Sequence, residues 1–230
     1  MPVSYSKYEH IDFLHMAKES SYDPECGQIF PSLRHQQRIL KRTFDIAAAT
    51  SAIILVLPII IMIAIFIKLD DQGPILFSQT RIGYLNRPFR IIKFRTVYSR
   101  FSDPFGVISL QPDDHRVTRV GRLLRRLHLD ELPQLLNVFR GDMSLVGPRP
   151  HTLASSFDGV PFFTIAENYW HRHTVRPGIV GLAQMDGYRG PVPSVDHLTQ
   201  RINLDLEYIR DWSITRDFVI IFRTILNIIK

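Results

Sequence analysis

The longest hydrophobic run in the chain extends from Ile46 to Ile67, about 22 residues without a charged side chain. Charged residues bound it on both sides, with Asp45 before it and Lys68 after it. As an α-helix this run measures about 33 Å, enough to cross a bilayer core that is about 30 Å thick. A buried core helix is the alternative interpretation, but an uninterrupted apolar run of this length favours a membrane-embedded helix, which we place at residues 38–72.

Pro58 lies near the middle of this apolar segment, where a proline removes one backbone hydrogen bond and bends a helix. Both flanks are basic, and the positive-inside rule therefore draws both helix ends towards the cytoplasmic face. The flanking cations are Arg34, Arg38, Lys41 and Arg42 on one side and Lys68 and Arg81 on the other. We predict a re-entrant helix that is broken at Pro58 and enters and leaves one leaflet, rather than a helix that crosses the bilayer.

Downstream of the apolar segment the hydrophobic pattern shortens to strand-like pieces. Residues 75–77 and 89–94 are predicted as strands, and the turn-forming residues Gly83 and Asn86 lie between them. Residues 98–115 are predicted as a loop because they contain two prolines, a glycine and paired aspartates.

Several helices are predicted in the rest of the chain. A basic amphipathic helix begins at about Thr118, and such a helix beside a membrane segment suits anionic lipid headgroups. Residues 195–210 are predicted as a second helix, and residues 209–230 as a core or an interfacial helix. The fold class predicted from these elements is a mixed α/β (α+β) domain over residues 73–230, mostly helical with short strands.

The N-terminal residues 1–37 are polar and aromatic without clear periodicity. They do not begin with the basic, apolar and small-residue pattern of a secretory signal peptide, so we interpret them as an N-terminal extension. The single cysteine, Cys26, excludes an internal disulfide framework and fits a reducing compartment.

The composition, 45% hydrophobic and 22% charged, is that of a folded protein. A formal net charge of +6 predicts an acidic partner, which is a nucleic acid, an anionic lipid or a phosphorylated substrate. A structural zinc site is not expected, since the chain has no cysteine cluster. The pair His171 and His173 could bind a metal, but their spacing alone is weak evidence for a metal site.

The main candidate site lies in the sequence LDELPQLLNVFRGDMSLVGPRP, residues 129–150. It places the adjacent acids Asp130 and Glu131 between Arg125 upstream and Arg149 downstream. Acids held among arginines indicate a site that handles phosphates, usually with a divalent cation that reconciles the like charges. The same combination of a cation with rigid or turn-forming backbone recurs at Lys93, Arg95 and Arg176.

An apolar pattern with a spacing of three to four residues predicts a short helix after Pro133, and Gly141 is expected to end it. Asp130 and Glu131 then lie at the positive end of the helix dipole, which also suits a bound phosphate. An isolated acidic pair at a helix start is more often a capping device than a catalytic pair. The surrounding cations favour the catalytic interpretation.

Five motifs occur in the order typical of one family: KRTFD, GPILFSQTRIG, IIKFRT, LDELPQLLNVFRGDMSLVGPRP and VRPGIVGLAQ. From about Lys41 to the C-terminus the chain resembles the bacterial sugar transferases, the monotopic polyprenyl-phosphate phosphoglycosyl transferases, in their short form. The resemblance implies a small α/β domain on the cytoplasmic side of the bacterial inner membrane, held there by a re-entrant helix and amphipathic helices. It also implies contact with membrane lipids and a homodimer.

The resemblance implies that a UDP-hexose gives its sugar-1-phosphate to polyprenyl phosphate with release of UMP, which initiates exopolysaccharide, capsule or O-antigen assembly. Asp130 resembles the nucleophile, which carries a covalent sugar phosphate. Glu131 resembles the residue that helps to hold Mg²⁺. The residues that resemble phosphate-binding groups are Lys93, Arg95, Arg125, Arg149 and Arg176.

The chain departs from the family pattern at a few positions. Leu57 precedes Pro58 where serine is usual, and the missing hydroxyl removes one way to satisfy the freed backbone carbonyls. Val97 follows KFRT where methionine is usual, and His128 replaces a common serine. The segment MDGYRG after GLAQ also differs from the usual pattern, and this difference is expected to affect sugar or lipid preference.

Two non-enzymatic alternatives remain. A family member without turnover would serve as a membrane scaffold for polysaccharide assembly, but the intact acids and arginines argue against it. A membrane-anchored nucleic-acid binder would explain the positive charge alone, yet the sequence has no recognition helix or aromatic stacking motif. We therefore expect a transferase with Mg²⁺ as its cofactor and no nucleic-acid partner.

Overall fold

The computed structural model describes residues 35–103, 113–152, 154–166 and 168–229. Most of the predicted N-terminal extension and the centre of the loop predicted at residues 98–115 lie outside these ranges. Within them, the chain forms a mixed α/β fold that is mostly helical with short strands, which confirms the predicted fold class.

The apolar segment forms helix α1, His35–Asp70, which is 36 residues long. The helix continues through Pro58, so the predicted break of the helix is not seen at this residue, and a bend there stays a prediction. By length and composition, α1 is the one helix in the described residues able to cross a membrane, and only 11% of its most apolar window is buried. Ile54 and Leu55, for example, are 70% and 79% exposed. This large uncovered apolar surface argues against a core helix.

The two halves of α1, before and after Pro58, are bound to the same domain. In the first half, Asp45 accepts a hydrogen bond from the backbone N–H of Leu145 at 3.1 Å. At the end of the helix, Asp70 accepts the N–H of Val120 at 2.9 Å. A straight helix rises about 38 Å over the 25 residues that separate these aspartates. The domain therefore contacts α1 along most of its length.

The predicted strand pair is a hairpin of β1, Leu76–Ile82, and β2, Pro88–Phe94. The strands are antiparallel, with Leu76 opposite Phe94 and Ile82 opposite Pro88. A turn at Tyr84–Asn86 joins them, as predicted. Strand β1 continues five residues beyond its predicted end because each of those residues has a pairing partner in β2.

Helix α2, Arg119–Arg126, begins where the sequence predicts, because the Thr118 side chain accepts the N–H of Gly121 at 2.9 Å. Gly121 lets this helix approach the KFRT segment closely: a Cβ there would lie 2.1 Å from the carbonyl oxygen of Thr96. Helix α3, Gln134–Arg140, follows, and Gly141 ends it in the left-handed conformation with φ of 97°. Both predicted helix boundaries are thus confirmed.

The second half of the domain adds short strands and helices. Strand β3, Ser144–Val146, pairs in parallel with β6, Gly178–Val180. Between them lie, in order, strands β4, Ser156–Phe157, and β5, Val160–Pro161, helix α4, Phe162–Ile165, and a 3₁₀ turn, Tyr169–Thr174. Helices α5, Leu182–Met185, α6, Val195–Arg210, and α7, Ile214–Ile229, complete the chain.

The prediction of helix α6 over residues 195–210 is confirmed, whereas the C-terminal helix starts later than residue 209. Trp212, which is buried, lies in the connection, and the Ser213 hydroxyl accepts the N–H of Arg216 at 3.2 Å to begin α7. The exposed face of α7 carries large apolar residues, among them Phe218 and Phe222.

Two apolar clusters place the hairpin and α3 against the membrane-type helix. Ala49 of α1 packs with Ile91 of β2 and Val138 of α3. Further along α1, Ile63 and Ile67 form a second cluster with residues of β2 and α2. The loop between α2 and α3, which carries the acidic pair, is therefore fixed relative to α1 on both sides.

Candidate active site

The acidic pair lies in a single 3₁₀ turn, Leu129–Glu131, between helices α2 and α3. His128 begins this turn in the left-handed conformation, with φ of 55°. Pro133 adopts helical dihedral angles directly before α3. The acids therefore precede the positive end of α3, close to their predicted place.

Glu131 is held by two cations from distant parts of the chain. Its Oε1 accepts a hydrogen bond from Lys93 Nζ of β2 at 2.7 Å and another from Arg149 Nη2 at 2.7 Å. Burial alone would raise the pKa of Glu131, but Arg149 and Lys93 lower it far below its ordinary value. Glu131 is thus fixed in position by two cations that favour its charged form.

Asp130, the neighbouring residue, differs from Glu131 in its hydrogen bonds and in the direction of its pKa shift. Both described hydrogen bonds from Lys93 and Arg149 to this acidic pair go to Glu131. Burial raises the pKa of Asp130, and the charge of Glu131 raises it further, while Lys93, Arg125 and Arg149 act in the opposite direction. Two adjacent carboxylates with pKa values moved apart are suited to two separate roles.

The third cation near Asp130 is Arg125, in the last turn of α2. Its side chain is exposed and its charge lowers the pKa of Asp130. It acts on the carboxylate through the electrostatic field, whereas Lys93 and Arg149 bind Glu131 directly. The structure therefore brings together Asp130, Glu131, Lys93, Arg125 and Arg149, as the sequence predicts.

Arg95 and Arg176, which were predicted to bind substrate phosphate beside the acids, have other partners. Arg95 directly follows the end of strand β2, is buried and forms an ion pair with Asp71 at the end of α1. Arg176 donates from Nε to the carbonyl oxygen of Gly141 at 2.7 Å, at the far end of α3. Neither contact includes the acidic pair, so the structure does not bring these two arginines together with Asp130 and Glu131, and their binding of substrate phosphate stays a prediction.

Arg81 belongs to the site but was predicted only as a flanking cation. Burial and the neighbouring Arg149 lower its pKa to about 10, while Glu131 acts in the opposite direction. The sequence could have indicated Arg81, because side chains alternate between the two faces of the hairpin strands. Lys93 pairs with Phe77, four residues before Arg81, so both cations point to the same face.

The position of Arg149 depends on a buried residue that the sequence did not reveal. Arg172 is 1% exposed and donates from Nη2 to the carbonyl oxygen of Arg149 at 2.8 Å. It also binds Asp205 of α6 from Nε at 3.0 Å and His151 Nδ1 from Nη1 at 2.8 Å. This network fixes the backbone on which the Arg149 guanidinium is mounted.

The donor set at the acids suits a hard cation that is shared with a substrate. In the described residues, no group of three or more His, Cys, Asp or Glu side chains is positioned to hold a metal ion. His173 is buried, and its Nδ1 lies 2.6 Å from Asn86 Oδ1. Asp130 and the second oxygen of Glu131 are available, and Mg²⁺ is commonly bound by one or two carboxylates together with substrate phosphates. The residues present therefore fit Mg²⁺.

An acidic pair within a ring of cations, on a small α/β domain with a long uncovered apolar helix, is typical of proteins that handle phosphorylated substrates beside a membrane. The sequence comparison makes the class specific. Residues 36–230 match the family described as bacterial sugar transferase, and the chain belongs to this family.

Three relatives are informative. The undecaprenyl-phosphate glucose phosphotransferase of Komagataeibacter xylinus is 49% identical over 185 residues, which cover 80% of this chain and 35% of the relative. The UDP-glucose:undecaprenyl-phosphate glucose-1-phosphate transferase of Caulobacter vibrioides is also 49% identical, covering 80% of this chain and 68% of the relative. The exopolysaccharide production protein PSS of Rhizobium leguminosarum bv. phaseoli is 43% identical, covering 82% of this chain and 94% of the relative. The aligned part of this chain thus spans about a third of the first relative and nearly all of the third.

Proposed function

We propose that this protein transfers a sugar-1-phosphate from a UDP-hexose to a polyprenyl phosphate and releases UMP. Both the first and the second relative are named for undecaprenyl phosphate, which supports this lipid as acceptor. The name of the second also specifies UDP-glucose, which supports UDP-glucose as donor. The third relative is named for exopolysaccharide production, which supports a first step in assembling such a polymer. The structural observation that carries the proposal is the unequal environment of Asp130 and Glu131.

Asp130 is the proposed nucleophile because its carboxylate is not occupied by Lys93 or Arg149. One of its oxygens attacks the phosphorus that bears the sugar, and the bond from that phosphorus to the UMP oxygen breaks. UMP leaves with the bonding electron pair, and the sugar phosphate remains on Asp130 as an acyl phosphate. An oxygen of polyprenyl phosphate then attacks the same phosphorus, and the bond to Asp130 breaks, which restores the carboxylate.

In the proposed reaction, the cations around Asp130 and Glu131 offset negative charge. The diphosphate brings negative charge to a carboxylate that must also be negative to attack. Arg125 is exposed on the Asp130 side, so it is placed to meet a phosphate. Lys93 and Arg149 hold Glu131 fixed and keep the site positive overall. Fixed charges of this kind stabilise a transferring phosphoryl group without reorganisation during the reaction.

We propose that Glu131 helps to hold Mg²⁺ together with the diphosphate of the donor. Bound there, the ion would offset negative charge on the phosphoryl group during displacement. Glu131 is suited to this task because its low pKa keeps it ionised. Its two protein contacts involve a single oxygen, Oε1.

The proposed location is the bacterial inner membrane, with the catalytic domain in the cytoplasm where nucleotide sugars are available. The contacts of α1 support a re-entrant helix over a crossing one. Arg42 donates to the carbonyl oxygen of Val138 at 2.6 Å, and Asp70 at the other end caps α2. A helix that crossed the bilayer would separate these two ends, whereas the same domain binds both.

The decisive test is to incubate the purified protein with UDP-glucose and Mg²⁺, without polyprenyl phosphate, and to analyse its peptides by mass spectrometry. We expect a hexose phosphate on Asp130 and about one equivalent of UMP. Asp130→Asn should form no adduct and release no UMP in the presence of undecaprenyl phosphate and Mg²⁺. An adduct on another residue, or wild-type turnover by Asp130→Asn, would contradict the assignment of the nucleophile.

Asp196→Asn is the matched control. It makes the same chemical change at an exposed position of helix α6, and it should react like the wild type. If the wild-type protein releases UMP from none of a panel of UDP-sugars, the protein is a scaffold and the proposed transferase function is wrong.

A further inference from the structure

A pocket lies beside the first turns of α1 and holds a concentration of positive charge. It is lined by Arg38, Lys41, Arg42, Asp45, Tyr84 and Arg176, together with five further uncharged residues, and we call it the basic pocket. Its volume is about 480 Å³ when the space open to solvent is included. None of the acids and cations of the candidate active site lines it.

The charges in the basic pocket are not balanced. Lys41 is neutralised, since its Nζ lies 3.0 Å from Asp45 and 2.8 Å from Asp217. Arg42 and Arg176 donate only to carbonyl oxygens among the residues that the structure describes, and a carbonyl carries no net charge. Arg38 is exposed and has no hydrogen bond or ion pair within those residues. Three guanidinium charges therefore line one cavity, and no carboxylate in the described part of the chain is bound to any of them.

The two inner guanidinium groups repel each other. Burial lowers the pKa of Arg42 and the neighbouring Arg176 lowers it further, although Asp45 and Asp142 partly offset this. Arg176 lies over the ring of Tyr84, with 5.5 Å between the guanidinium carbon and the ring centroid, which fixes its direction. An anion between these groups would relieve the repulsion.

A purely structural role does not account for every group in the basic pocket. Arg42 and Arg176 bind the last carbonyl oxygens of α3, at Val138, Phe139 and Gly141, and so cap the negative end of that helix. This cap uses only Nε of Arg176 and leaves its two terminal amino groups directed elsewhere. It also does not use Arg38. These remaining donors are what a phosphate group requires.

We propose that the basic pocket binds the phosphate headgroup of an anionic membrane lipid. The occupant is a lipid because the next two residues after Arg38, Ile39 and Leu40, are apolar and 55% and 52% exposed. They offer a surface for acyl chains next to the guanidinium groups. Basic side chains at the end of a membrane helix attract anionic headgroups in the cytoplasmic leaflet.

The test is native mass spectrometry of the full-length protein in detergent, titrated with dioctanoyl phosphatidylglycerol. We expect one retained lipid in the wild type and about fivefold weaker binding for each of Arg38→Gln and Arg176→Gln. The control is Arg119→Gln/Arg122→Gln, which removes two exposed charges from α2 and should bind like the wild type. Equal binding by all variants would overturn the proposal.

Two further arms identify the occupant. Dioctanoyl phosphatidylcholine should not be retained, because its headgroup has no net charge; equal retention of both lipids would show that chains alone are recognised. Inorganic phosphate at the same concentration should not displace the lipid, and full displacement would identify a soluble anion as the occupant. Arg38→Gln removes no described contact, so a loss of affinity in this variant is not explained by misfolding. Unchanged lipid affinity in Arg38→Gln would contradict the proposed binding in the basic pocket.

Discussion

Arg172 donates a hydrogen bond to the backbone carbonyl oxygen of Arg149, whose own guanidinium binds Glu131. The buried residue thus controls the site through the chain and not through its own charge. Arg172 also pairs with Asp205 of α6, at 2.5 Å between Nη2 and Oδ2. Helix α6 is therefore linked through Arg172 to the backbone that carries one of the site cations.

We predict that Arg172→Lys lowers the rate of UMP release about tenfold with little loss of folded protein, because lysine keeps a charge for Asp205 but has no fork of donors to reach Arg149 as well. The measurement is a double-mutant cycle with Arg149→Gln. If Arg172 acts through Arg149, then Arg172→Lys causes no further loss in the Arg149→Gln background. An equal loss in both backgrounds would instead show a general packing effect.

The pH dependence of the first step follows from Asp130. This residue must be ionised to attack, and its pKa is raised by burial, so activity should fall on acidification at a higher pH than for an ordinary aspartate. Arg125 lowers this pKa, and Arg125→Gln should therefore move the acidic limb of the profile to higher pH. Arg122→Gln removes an exposed charge one turn earlier and should leave the limb in place. A shift to lower pH in Arg125→Gln would refute the electrostatic role.

Removal of divalent cations should abolish UMP release. The acids already face three cations from the protein, but the donor diphosphate adds negative charge that these cations do not neutralise alone. We expect complete loss in excess EDTA and full recovery when Mg²⁺ is added above the chelator. Calorimetry should also show that Glu131→Gln weakens Mg²⁺ binding in the presence of UDP-glucose. Undiminished turnover in EDTA would remove the metal from the proposed chemistry.

The placement of α1 is testable by cysteine labelling in a Cys26→Ala background. Gln36→Cys and Gln72→Cys introduce thiols at exposed positions on the two sides of the apolar segment. In inverted inner-membrane vesicles, a membrane-impermeant maleimide should label both, since a re-entrant helix keeps both ends in the cytoplasm. Labelling of one thiol only in inverted vesicles, and of the other only in spheroplasts, would establish a crossing helix.

Much of this architecture was predictable because its causes are local. The apolar run identified α1, Thr118 and Gly141 marked helix boundaries, and the alternating segments identified the hairpin. The acids Asp130 and Glu131 also stood out, because their neighbours in sequence are cations. Such signals depend on dihedral preferences and periodicity within a few residues.

The errors concern side chains whose partners are distant in sequence. Arg95 was expected beside the acids, but Asp71, 24 residues earlier, binds it instead. The pairing of Arg172 with Asp205 spans 33 residues and leaves no local pattern. Charge alone does not tell a substrate-binding arginine from one that stabilises the fold, since both need a nearby acceptor.

The attachment of both halves of α1 to one domain has a consequence for the acceptor. Since Asp45 and Asp70 are each bound to backbone of that domain, the height of the acidic turn above the lipid is set by the fold. In the proposed placement, an acceptor phosphate that drifts sideways within its leaflet arrives at the level of Asp130 without being lifted out. The acceptor then reaches the site by lateral diffusion in the bilayer, and only the water-soluble donor has to diffuse in three dimensions.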